Sequence, residues 1–262
     1  MAHAIGPLAG YRRRADANLG LVWPDMPAPA RRRLATRSLA NTGRAVMENF
    51  NHAAFRARLA GTPLEGPGLT TLAEAQAAGR PILFASAHFG NYEAPRTVLQ
   101  LHGHRVAMHY RPMSNPDFDR IYRPTLDAVG GPMFPQGRDG TLGFARHLRM
   151  GGWGILFYDL HQPRGDLLPF LGVPARTAIS AGTLALLSGA ALVPIFGVRQ
   201  PDGIRFRCFV EEPIPPSTPF QMTAALNARL EAQIARHPEQ WWWLHRRWKS
   251  HQKALRKGTP LT

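Results

Sequence analysis

The run His88-Phe89-Gly90-Asn91-Tyr92-Glu93 holds the residue types that general acid–base chemistry requires. A carboxylate that accepts a proton from one imidazole nitrogen fixes the tautomer. The other nitrogen is then free to take a proton from an alcohol. On one straight helix, side chains five positions apart diverge by about 140° and do not meet. Across a strand-to-helix turn they do. The spacing therefore predicts His88 in such a turn, with Glu93 pointing back to it from the first helical turn and Gly90-Asn91 supplying the bend. That arrangement activates a hydroxyl for attack on a thioester. No covalent nucleophile is needed, and no Gly-x-Ser-x-Gly elbow exists: Gly182 and Ser188 lack that spacing.

The flanking residues predict the elements that position this pair. Pro81 to Ala87 is a short apolar run, read as a buried strand, and a helix is expected from the turn through Leu101. Further strands are expected over Arg105–Tyr110, Trp153–Tyr158, Ala191–Val198 and Ile204–Glu211. Helices are expected over Leu72–Ala78, Asp117–Val129, Thr141–Met150, Ala178–Leu187 and Thr223–Arg236. Alternating strands and helices indicate an α/β fold with a mostly parallel central sheet flanked by helices. His88 then falls at the carboxyl end of a strand, where open α/β sheets bind ligands. Asp159 ends another strand. It can hold an Arg or an acceptor hydroxyl, or serve as a helix cap or ion-pair partner. Phe134-Pro135-Gln136-Gly137-Arg138 is read as a turn.

Residues 1–59 read as an N-terminal helical segment, 60–250 as the α/β domain, and 251–262 as a tail, frayed from Lys253. Clusters Arg12–Arg14 and Arg31–Arg33 flank a break at Trp23-Pro24. Basic amphipathic helices beside a Trp suit an anionic lipid interface, and equally suit packing on the domain with solvated arginines. Thirty-two Lys and Arg against 17 Asp and Glu give 262 residues a net charge of +15, which points to an acidic partner. Thr177 to Val198 is long enough to span a bilayer, but its Gly, Ser and Pro residues divide it into a core helix and a buried strand. The single cysteine, Cys208, sits in an alternating run and reads as a strand thiol. The histidines, including His102, His104 and His109, form no ligand spacing, so no metal is expected. Trp241-Trp242-Trp243 with Arg246, Arg247 and Lys249 is a basic aromatic cluster suited to a headgroup boundary.

With these residues in view, the chain resembles the bacterial lipid A biosynthesis acyltransferases of the lysophospholipid acyltransferase superfamily. The resemblance rests on His88-x4-Glu93, Tyr110-Arg111-Pro112 with Asn115-Pro116, Tyr158-Asp159, Pro169-Phe170-Leu171-Gly172-Val173-Pro174-Ala175, Leu187-Ser188-Gly189-Ala190, Val193-Pro194 with Arg199, His237-Pro238-Glu239-Gln240 and Trp243-Leu244-His245-Arg246-Arg247-Trp248-Lys249. It implies His88 as base and Glu93 as its orienting carboxylate. It implies substrate binding at Arg111, Asn115, Arg123, Asp159 and Arg199, with Arg120 one turn from Arg123, and a structural or active-site rim role for the Trp241–Trp243 cluster instead of a headgroup boundary. It further implies an acyl donor (acyl carrier protein or acyl-CoA), a lipid hydroxyl acceptor, no cofactor and no nucleic-acid partner. Location at the cytoplasmic face of a bacterial inner membrane follows, peripheral or monotopic. Family members commonly carry a membrane-spanning helix before the Arg-rich segment. Met1 lies too close to that segment for such a helix within this sequence; either the sequence starts inside a longer gene product, or the protein is monotopic and attachment is expected to rest on the N-terminal helices, the basic surface and the apolar mouth of the site.

Overall fold

The computed structural model of the chain describes residues 2–113 and 115–258. Three helices come first: α1 (Ala2–Val22), α2 (Ala28–Phe50) and α3 (His52–Leu59). After a short strand β1 (Leu64–Glu65) and helix α4 (Leu69–Ala77), the α/β alternation begins. It runs β2 (Ile82–Ser86), α5 (Ala94–Leu101), β3 (Val106–Tyr110), α6 (Pro116–Val129), β4 (Met133–Pro135), α7 (Arg138–Arg149) and β5 (Trp153–Phe157). A hairpin of β6 (Asp166–Phe170) and β7 (Val173–Thr177) follows, then α8 (Ser180–Ser188), β8 (Ala191–Arg199), β9 (Phe206–Val210), α9 (Pro219–Arg236), a 3-10 turn (Pro238–Gln240) and α10 (Lys249–Lys257).

The strands form a seven-stranded sheet in the order β1-β9-β8-β2-β5-β3-β4. The five from β8 to β4 are mutually parallel, and only the β8–β9 pairing is antiparallel. Every residue of β2 is buried, which accounts for its unbroken apolar run: a central parallel strand is covered on both faces. Leu83 and Ala85 face α8 residues Ala181, Leu184 and Ala185, whereas Ile82 and Phe84 pack with Leu99 of α5. The helices following the neighbouring strands β2 and β5 thus lie on opposite faces of the sheet. Such a divergence opens a crevice at the carboxyl ends of the two strands.

Local signals set the boundaries. Asn115 caps α6 by accepting from the backbone N–H groups of Asp117 and Phe118, and Thr218 with Gln221 forms a capping box on α9. Gly189 ends α8 at φ 69°, so the uncharged stretch divides into helix and strand as the sequence indicates. No helix among the described residues is long and apolar enough to cross a membrane. Cys208 is buried in β9, and burial pushes its thiol up to about 12.

Three expectations are corrected. Phe134 and Pro135 lie in β4, and the turn is confined to Gln136-Gly137. The expected fraying from Lys253 does not occur through Lys257, because α10 continues to that residue; residues 259–262 lie outside those described. The β6–β7 hairpin, which carries the Pro169–Ala175 block, was not anticipated as strands because its prolines suppress strand propensity.

Candidate active site

β2 and β5 pair in parallel with Ile82 opposite Trp153 and Ser86 opposite Phe157. The ladder continues as Tyr158 N–H donates to Ser86 O at 3.3 Å. Two residues past each strand end, the same register brings His88 opposite Asp159. The Asp159 carboxylate accepts twice from that one residue: its Oδ1 lies 2.8 Å from His88 Nδ1, and its Oδ2 accepts the His88 backbone N–H at 3.0 Å. The Trp241 indole N–H donates to the same Oδ2 at 3.0 Å. Burial alone would push the Asp159 carboxyl up, but the adjacent imidazole and these hydrogen bonds outweigh it and hold the group below the usual carboxylate range. Asp159 is therefore an anion with three donors aimed at it. An anionic acceptor at Nδ1 sets the tautomer that carries its proton there and leaves Nε2 as the basic nitrogen. Nε2 has no protein hydrogen-bond partner among the described residues.

The contact between His88 and Glu93 expected from the sequence is not made. Glu93 occupies the N-cap position of α5 at φ −89°, ψ −12°, and its Oε2 accepts from Arg96 Nε at 2.9 Å. Its other oxygen is buried without a partner. Arg96 is itself buried and donates to the carbonyls of Leu126 and Gly130 at the end of α6. The Glu93–Arg96 pair thus ties the start of α5 to α6, behind the turn that holds the histidine. Asn91 shapes that turn from within: its Oδ1 accepts Glu93 N–H at 2.9 Å. Gly90 sits at φ 58°, and a Cβ there would meet Gly197 O at 1.8 Å.

Aromatic rings enclose the imidazole. Trp242, Phe157 and Tyr92 lie 4.8, 5.0 and 5.3 Å from it between centroids. The segment carrying Trp242 is bound to the His88 turn by an isolated antiparallel bridge between Phe89 and Trp241: Trp242 N–H donates to His88 O and Gly90 N–H to Gln240 O. Helices α1 and α2 strap this segment down. Asn18 Nδ2 donates to Trp243 O and His245 O, Ser38 Oγ to Trp241 O, and Asn41 Nδ2 to Gly90 O. His245 stacks on Trp242, its Nε2 accepts from His161 N–H, and burial pushes it down to about 3, so it is neutral. Tyr92 and Tyr122 share a hydroxyl–hydroxyl bond of 2.5 Å, and burial pushes Tyr92 up to about 12.

The other residues singled out in the sequence divide into two groups. Arg199 is buried, forks onto Glu48 at 2.8 Å through each terminal nitrogen, and donates to Asn41 Oδ1. Glu48 in turn accepts from Asn91, so Arg199 supports the turn from behind. Arg111 is exposed one residue past β3, at the same carboxyl edge as His88. Asp117 pairs with Arg120, and Asp119 accepts from Met113 N–H. Asn115 acts as the cap of α6. Arg123 pairs with Asp127 and lies over the Tyr110 ring. Arg247 is buried under the Asp159 loop, donating to Arg176 O and Thr177 Oγ1. No group of three metal-binding side chains occurs among the described residues.

Two supports were missed in the sequence, Glu48 and Arg96; Trp241 and Trp242 were singled out, but their contacts with Asp159 and His88 were not. The sequence did place His88 and Asp159 alike, each directly after a predicted buried strand, although not in contact with each other.

Fold and site define an α/β enzyme class with a carboxylate-anchored histidine at the carboxyl edge of a parallel sheet. The chain belongs to the bacterial lipid A biosynthesis acyltransferase family, whose model matches residues 1–250, and it is an O-acyltransferase. It is 29% identical to the lipid A biosynthesis lauroyltransferase of Escherichia coli (strain K12) over 93% of this chain and 82% of that one. It is 27% identical to the palmitoleoyltransferase of the same organism, over 90% of this chain and 78% of that one. A phosphatidylinositol mannoside acyltransferase of Mycobacterium tuberculosis (strain ATCC 25618 / H37Rv) is also 27% identical, over 92% and 78%.

Proposed function

We propose that the enzyme moves a fatty acyl group from a thioester donor, acyl carrier protein or acyl-CoA, to a hydroxyl of a membrane lipid such as a lipid A precursor. His88 is the base. As the acceptor oxygen attacks the thioester carbonyl, Nε2 takes its proton. The tetrahedral intermediate collapses with loss of the thiolate, and the imidazolium returns the proton to sulfur. The products are an ester and a free thiol. Asp159 holds the tautomer and stabilises the imidazolium. Glu93, through Arg96, is a positioning residue for the turn. Exposed Arg111, at the same carboxyl edge of the sheet, is the candidate for a substrate phosphate.

The observation that carries this reading is the imidazole anchored through Nδ1 on a buried anion. Direct transfer is favoured over an acyl-enzyme because candidate nucleophiles are occupied: Ser86 Oγ donates to Ile195 O, and the Cys208 thiol is buried and protonated. The mycobacterial relatives favour a second acceptor class, a glycolipid other than a lipid A precursor, on the same chemistry. The enzyme works as a peripheral protein at the cytoplasmic face of the inner membrane. The test is transfer of labelled acyl groups from acyl carrier protein to a panel of lipid acceptors, with His88→Ala alongside. Transfer that depends on His88 supports the reading, and transfer that survives His88→Ala overturns it.

A further inference from the structure

Helix α2 has 23 residues, so it is about 34 Å long. One face is buried through Ala35, Ser38, Asn41, Ala45 and Asn49, against the segment that closes the active site. The opposite face is exposed, and its composition is graded. Its first half presents Arg32, Arg33 and Arg37, with Arg12 of α1 lining the same open groove. The exposed residues then pass through Ala40, Gly43 and Arg44 to Met47 and Phe50, which are 68% and 40% exposed. No carboxylate belongs to this stripe. Glu48 is turned inward to Arg199, and among the described residues only Glu239 pairs with an arginine of the stripe, 3.6 Å from Arg37.

The apolar end does not stop at α2. Phe50 lies 6.5 Å from Phe118 and 5.8 Å from Tyr122 on α6, where Ile121 is 56% exposed. Tyr122 bonds Tyr92, and Tyr92 lies against His88. A continuous row of aromatic rings thus connects the exposed patch to the catalytic imidazole. The charged residues of α6 that border the patch are internally paired, Arg120 with Asp117 and Arg123 with Asp127.

We propose that the exposed face of α2, continued by Phe118 and Ile121 of α6, is the surface by which the enzyme lies on an anionic lipid bilayer. The arginines meet headgroup phosphates, and Met47, Phe50, Phe118 and Ile121 enter the acyl boundary at the outer end of the row of rings that reaches His88. This rests on the reading that the acceptor is a membrane lipid. A purely acidic protein partner accounts for the arginines but leaves the exposed Met47 and Phe50 unused. A bilayer uses both, because headgroup charge and acyl chains lie a few ångströms apart.

The test is flotation of the full chain with vesicles of phosphatidylcholine alone and with phosphatidylglycerol added. The parent binds the anionic vesicles and part of that binding survives high salt. Replacing three arginines together (R32Q, R33Q and R44Q) weakens anionic-vesicle binding about 100-fold, at roughly fivefold for each surface arginine. Met47→Ser with Phe50→Ser abolishes the part that survives high salt. Unchanged melting temperatures confirm the fold in each case. Binding of the arginine variant equal to the parent overturns the proposal, as does a loss confined to binding of acyl carrier protein. His88→Ala binds vesicles as the parent does, so failure of the catalytic reading and failure of this surface are seen separately.

Discussion

Replacing Asp159 by Asn keeps the shape of the side chain and removes its charge. Two donors, the His88 backbone N–H and the Trp241 indole N–H, converge on Oδ2, and the imidazole Nδ1 faces Oδ1. An amide has one oxygen. Set against the two converging donors, that oxygen leaves the NH2 group facing Nδ1, which must then accept. The imidazole proton moves to Nε2, and the base loses the lone pair it needs. A tautomer error of this kind costs about 10³- to 10⁴-fold in kcat, or about 4–5.5 kcal/mol of barrier. The assay is steady-state acyl transfer with kcat and KM separated and melting recorded in parallel. KM is expected to change little, since nothing in this argument touches substrate binding. A variant within tenfold of the parent in kcat refutes the assignment of Asp159 as the carboxylate that orients His88.

Four further outcomes follow from the geometry. Glu93→Gln leaves both hydrogen bonds from His88 to Asp159 in place and strands the buried Arg96, so it lowers stability by about 3 kcal/mol or more, measured by denaturant unfolding. Its loss of kcat is smaller than that of Asp159→Asn. Arg199→Met removes the fork of charge-assisted hydrogen bonds on Glu48, leaving it with Arg58 and Asn91, and destabilises by about 1.5–3 kcal/mol in the same measurement. Asp159 and Glu48 are both held below their ordinary pKa values in the fold. The stability they contribute is therefore fully present above roughly pH 4–5, near the unfolded-state carboxylate values, and is lost as pH falls through their folded values. Acid unfolding followed by circular dichroism is shallower for Glu48→Gln than for the parent. Gly90→Ala combines a positive φ with a Cβ driven onto Gly197 O, so it costs more than about 2 kcal/mol and displaces the His88 turn.

Much of the fold was legible because the helix and strand periods are strong where burial is two-sided. β2 and β8 read as apolar runs, and α8 and β8 separated at Gly189 because only a glycine takes that backbone angle without strain. The hairpin β6–β7 was not legible, since Pro169 and Pro174 argue against strands unless the pairing partner is known. At the site, the sequence located both His88 and Asp159 but paired His88 with the wrong carboxylate. Local spacing favours Glu93, five positions away. The actual partner lies 71 positions away and is brought in by the β2–β5 register, which no local pattern encodes. The same limit hid Glu48 and the contacts of Trp241 and Trp242 with Asp159 and His88, each delivered by a distant element. Arg199 was visible as a residue, but its place under the turn depends on a contact with α2.

The central claim is general-base transfer of an acyl group by an imidazole held on Asp159. It is tested most directly by single-turnover transfer of a labelled acyl group from acyl carrier protein to a lipid acceptor. The comparison is among the parent, His88→Ala and Asp159→Asn, all verified as folded. The account predicts transfer by the parent, none above background in His88→Ala, and a rate at least about 10³-fold lower in Asp159→Asn. Transfer by His88→Ala at a rate near the parent's would contradict it.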